Sequence, residues 1–108
     1  MLKITKNPSF KTNIPVQEPI GDNRFRARTF PIEFNILARD EAQDFLDQDD
    51  GTFFKKVIKG WDQVENEEGP MVCNEENIII LTNVPFVYSA IIKVYFEEAF
   101  GGKAKRKN

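Results

Sequence analysis

Histidine is absent from this chain, cysteine occurs once and serine twice. The missing histidine removes the commonest general base, the commonest metal ligand and every Ser-His or Cys-His dyad. Ser9 and Ser89 are not in a nucleophile-elbow context, and no glycine pattern that cradles phosphate is present. Cys73 has no partner for an internal disulfide, which suits a reducing compartment. No apolar run approaches the length needed to cross a bilayer, and the N-terminal MLKITKNPSF lacks the apolar core of a secretory signal, so the expected location is cytoplasmic.

What is present is a core. Of 108 residues, 41% are apolar and ten are phenylalanine, enough for one modest globular domain over residues 1–102. The last six residues, KAKRKN, hold four positive charges against a net charge of -2 for the whole, which leaves an acidic body. Residues 103–108 are expected to form a flexible, solvated basic tail. An acidic body argues against a nucleic-acid surface, where clustered Lys and Arg dominate binding.

Periodicity predicts an α+β fold: an N-terminal β-hairpin over residues 10–36, then a mainly helical region of about four helices. Phe10, Thr12, Ile14, Val16 and Ile20 alternate onto one face, and Pro15 and Pro19 place that strand at a sheet edge. Gly21-Asp22-Asn23 supplies the turn. In the returning strand the apolar parity changes, from Phe25 and Ala27 to Phe30, Ile32, Phe34 and Ile36. That change reads as a bulge or a break near residues 29–31. Arg24, Arg26 and Arg28 share one face, as a charged surface that discourages edge pairing.

A short helix capped by Asp40 follows, with Ala42, Phe45 and Leu46 on one side. Its terminating DQDDG does not fit a calcium loop, because with Gly51 as the sixth residue the first, third and twelfth would be Leu46, Gln48 and Val57. Thr52 is the expected cap of a second helix lined by Phe53, Phe54, Val57, Ile58 and Trp61. Trp61 suits either an interface anchor or core packing. Glu65, Glu67 and Glu68 flank Gly69-Pro70 and have no apolar neighbours to shift their pKa values, so they read as a solvated turn. Asn74 caps a third segment whose Ile78–Leu81 run is compatible with helix or strand.

The final helix starts at Pro85 and ends at Gly101. Its apolar residues cover an arc of roughly 200°, about twice what a surface helix needs. Either its own domain wraps it or it packs on a partner. Val87, Ile91 and Val94 form the expected partner-binding face, with Tyr88, Ile92 and Phe96 turned to the core. An apolar surplus of this kind also favours self-association.

Taken in order, Gly60-Trp61, Val64, the acidic residues, Gly69-Pro70, Asn74-Glu75-Glu76-Asn77 before the Ile/Leu run, Pro85, the aromatic final helix and terminal Lys107-Asn108 resemble a tail assembly chaperone of long, non-contractile-tailed bacteriophages. The early strand with Val16 and Pro19, then Phe25 and Phe30 to Leu37 ahead of an acidic helix, is similar to that family too. Cys73-Asn74 stands where the family would have a Ser or Thr cap. The resemblance implies a helical Ile78–Leu81, no catalysis, no cofactor and no bound metal. It further implies binding to the tape measure protein in the host bacterial cytoplasm, and absence from the finished virion. A longer form made by ribosomal frameshifting near KAKRKN would recruit the tail tube protein. The competing expectation is a small structural virion protein, such as a head-tail connector or tail-completion protein. A carboxylate-dependent enzyme ranks below both.

Overall fold

A computed structural model describes residues 1–101 as an α+β fold; the basic tail expected at 103–108 lies outside the described residues. Strands β1 (Ser9–Gly21) and β2 (Arg24–Asn35) form a long antiparallel hairpin, close to the 10–36 expected. Helices α1 (Arg39–Gln48) and α2 (Thr52–Val57) follow, then strand β3 (Ile58–Trp61) returns to the sheet. A two-residue ribbon, β4 (Glu65–Asn66) with β5 (Gly69–Pro70), precedes helices α3 (Glu75–Thr82) and α4 (Pro85–Ala99).

Sheet order is β1-β2-β3, so β1, with Pro15 and Pro19, does lie at an edge, where a missing donor is tolerated. The parity change in β2 has a different cause from the one expected. Pairing runs unbroken from Ser9↔Asn35 to Pro19↔Phe25, with no slip at residues 29–31; the one irregularity lies at Ile20, beside the turn. Phe30, Ile32 and Phe34 face the core, and regular alternation puts Arg24, Arg26 and Arg28 on the same face further out. The ribbon simply outruns the body. From Thr29 to the turn the residues of β2 are all exposed among the described residues, so the apolar pattern no longer has to follow one side.

Side-chain capping sets the start of one helix. Asn74 Oδ1 accepts from the Asn77 N–H at 2.8 Å and starts α3, which is helical through Ile78–Leu81. Two expected caps are displaced by one or two residues. α1 begins at Arg39, so Asp40 lies in its first turn instead of capping it, and α2 is preceded by Gly51, with Asp50 Oδ1 accepting from the Thr52 N–H at 3.0 Å. Asp49 and Gly51 both take left-handed backbone there, which turns the chain sharply between α1 and α2.

The segment from Phe53 does not stay helical through Trp61. After six residues Ile58 turns extended and pairs with Phe34, and Trp61 pairs with Ile32. The free edge of β2 offers backbone partners that a further helical turn would not, and β-branched Val57 and Ile58 accept the extended form readily. One continuous cluster, including Ile14, Phe34, Ala42, Phe53, Val57 and Tyr95, fills the space between sheet and helices.

Candidate functional site

The excess apolar arc of α4 is wrapped by its own domain. Val87, Ile91 and Val94 are 5%, 0% and 7% exposed, inside the core, and Tyr88, Ile92 and Phe96 are half-buried around them. Tyr88, Ile92 and Phe96 do pack against the core as expected, whereas Val87, Ile91 and Val94, expected to face a partner, are buried more deeply still. The β-hairpin covers one side of α4, while α2 covers the other through Phe53 stacked on Phe96 at 5.8 Å and Phe54 edge-on to Tyr88 at 5.3 Å. Within α4 the exposed residues are Pro85, Ser89, Lys93 and Glu98, with Ser89 and Lys93 on one narrow strip. Ile91 and Val94 offer no surface to a partner while the fold holds, and Val87 reaches only the wall of the cleft described next.

A broad concavity lies elsewhere, between the core face of the hairpin and the excursion from Asp62 to Cys73. It is an open cleft of about 970 Å³. Val16, Phe30, Trp61, Met71, Leu81 and Phe86 make its apolar floor. Trp61 belongs to it because β3, and not a helix, carries the residue. The indole Nε1–H donates to the Met71 carbonyl at 2.8 Å, and the Met71 N–H donates to the Val64 carbonyl at 2.8 Å, so the excursion is pinned at its base to the strand. The rim is charged: Arg28 is paired with Glu18 at 2.7 Å, and Asp62 and Glu65 stand nearby.

The acidic residues around this rim are not gathered into a ligand set. Glu65, Glu67 and Glu68 are exposed around the β4–β5 turn, and among the described residues no three Cys, Asp or Glu side chains converge as a metal site would need. Cys73 is half-buried in the cleft wall. Burial pushes its thiol pKa up, and a backbone hydrogen bond at Trp61 pulls only partly the other way, so the sulfur is protonated at neutral pH. The cleft therefore offers an amphipathic surface, with apolar side chains at its floor and Glu18, Arg28, Asp62 and Glu65 around them.

A second, smaller depression of about 360 Å³ is formed by the helices, with Phe45, Leu46, Phe54, Ile79 and Tyr88 in its lining and Asp49 and Asp50 at its edge. Ile79 and its neighbour Ile80 are about half exposed, because a short helix with four consecutive apolar residues cannot turn all of them inward. No single helix among the described residues is long and apolar enough to cross a membrane.

Sequence periodicity missed the cleft because its floor draws on β1, β2, β3, α3, α4 and the excursion, and no window of the chain contains that combination. Gly60-Trp61 before Gly69-Pro70 was the only signal of it. Comparison with protein-family models, with curated proteins and with solved structures finds no match to this chain.

Proposed function

We propose that the protein is a non-enzymatic phage tail assembly chaperone, which binds the tape measure protein in the host bacterial cytoplasm and helps to recruit tail tube subunits. The observation that carries this reading is the open cleft over Trp61 and Met71, with apolar side chains at its floor and charged ones at its rim. Its volume is at the upper end of the usual range for binding pockets, and its open form suits a side-chain row from a helix better than an enclosed small molecule. Such a surface shields apolar residues of a client that would otherwise aggregate. The ordered resemblance of residues 60–77 and the α+β arrangement support the same reading.

Co-expression with the long, coiled-coil-rich protein encoded just downstream tests it. The expected result is that the partner becomes soluble and co-purifies, with a shift in emission from Trp61, the only tryptophan of the chain. Val64→Asp adds charge to a half-buried cleft position and should abolish co-purification while leaving the far-UV circular dichroism unchanged. Failure of the wild-type pair to associate, with both proteins folded, would overturn the reading. Recovery of this chain from purified virions would favour a head-tail connector or tail-completion protein instead.

A further inference from the structure

The two sides of the cleft carry opposite charge. Arg28, Arg26 and Arg24 stand at alternate positions of β2, on the face that brings Phe30 into the cleft, and form a row running from its rim toward the hairpin tip. Arg28 is held by Glu18 at 2.7 Å, whereas Arg24 and Arg26 make no ion pair among the described residues. With Glu18 and Asp22 counted against the three arginines, residues 17–28 remain net positive. Phe25 projects from the opposite face, 61% exposed, and takes no part. On the other side, the excursion holds Asp62, Glu65, Glu67 and Glu68, with no Lys or Arg between residues 60 and 92. All four are exposed, Asp62 and Glu65 line the cleft, and none makes an ion pair among the described residues.

The hairpin turns a face to the cleft, and its backbone groups there are engaged in the β1–β2 pairing. An extended segment laid on that face would find no strand edge to join, whereas a helix satisfies its own backbone and needs only side-chain contacts. Alternate positions on a strand are about 7 Å apart and residues one turn apart on a helix about 6 Å, so a helix lying along the ribbon can set two successive carboxylates against Arg26 and Arg24. A row of apolar side chains on such a helix meets Trp61, Leu81 and Phe86, and its remaining flank meets Asp62 and Glu65.

We propose that the cleft takes an amphipathic helix of segregated charge, with acidic residues on the flank beside Arg24 and Arg26 and basic residues on the flank beside Asp62 and Glu65. This rests on the reading of the cleft as a client site, and adds which helices it accepts and in which direction. Turning a helix end for end exchanges its flanks, so opposite charge on the two walls selects one direction for a given sequence. Exposed ion pairs contribute little each; the apolar row therefore supplies most of the affinity, and the charges supply orientation and selectivity. Salt weakens that selection.

Titration of the full chain with designed helical peptides, followed by Trp61 emission, tests this. All peptides share one apolar row and differ only in their flanks. A peptide with Glu on one flank and Lys on the other should bind about fivefold tighter at low salt than one with the same residues scrambled between flanks, and equally at high salt. Exchanging the two flanks should keep the affinity and reverse the direction: a nitroxide on the peptide N-terminus should broaden the hairpin-tip amide signals for one flank order and not for the other. Arg24→Glu with Arg26→Glu should shift the preference to a peptide with Lys on both flanks. Both positions are exposed, circular dichroism checks the fold, and Arg26→Gln, which should lose part of the preference, replaces the double variant if it unfolds. Equal binding of segregated and scrambled peptides, the same broadening with both flank orders, or an unchanged preference in the double variant would each overturn the proposal and leave the cleft as a client site. Trp61 emission unmoved by every peptide would overturn the client reading of the cleft as well.

Discussion

Tyr95 shows how much one side chain can organise. It is fully buried at the centre of an aromatic group, with Phe34 at 5.0 Å, Phe53 and Phe96 at 5.5 Å and Phe100 at 5.9 Å. Its hydroxyl donates to the Asn35 carbonyl and accepts from the Leu37 N–H, both at 3.1 Å. Those are backbone groups that the end of β2 leaves without a strand partner, so the phenol both fills the core and closes the exit from the sheet. Tyr95→Phe should keep the packing and orphan both groups, at a cost of about 1–3 kcal/mol in urea denaturation. Burial raises the Tyr95 pKa above its ordinary value of 10.0. The unfolded chain therefore releases this proton first, and the stabilisation that is present below pH 10 is lost as pH rises toward the folded-state value. Tyr95→Phe should flatten that alkaline decline in a pH series of melting temperatures.

Among the elements, those with strong local signals follow the sequence. The hairpin was legible from two-residue alternation and the Gly21-Asp22-Asn23 turn, and α3 from Asn74 as a cap with Glu75 and Glu76 in its first turn. Asn74→Ala removes the acceptor for the Asn77 N–H and should cost about 1 kcal/mol, read as a lowered denaturation midpoint with an unchanged slope. Where local patterns failed, a neighbour supplied what the pattern did not contain. Val57 to Trp61 has helical spacing from Phe53, yet the vacant edge of β2 draws it into β3. The apolar parity change in β2 likewise has the form of a slip, but it marks the place where the ribbon leaves the body.

For the whole molecule, the decisive question was which side of α4 is covered. The sequence gives a helix apolar over more than half its circumference and leaves the inward side open; the hairpin and α2 together bury Val87, Ile91, Val94 and Tyr95. Ile91→Asp would place a charge where there is neither water nor a partner. A buried unpaired charge costs several kcal/mol, a large share of the 5–15 kcal/mol that holds a domain of this kind together. The variant should be largely unfolded by circular dichroism, while Ser89→Asp on the exposed strip stays within about 0.5 kcal/mol of wild type. A natively folded Ile91→Asp would contradict the packing of α4.

Composition and short-range periodicity determined by themselves that this chain is an α+β domain with an edge-strand hairpin, a capped third helix and no histidine-based chemistry, because each depends on residues within a few positions of one another. Only the tertiary structure decided the path of Trp61, the buried face of α4, the cleft behind the hairpin and the uncovered tip at Phe25. Those four depend on which surfaces meet across long stretches of chain, and a pattern that fixes a residue's face within its own element does not say what, if anything, will cover that face.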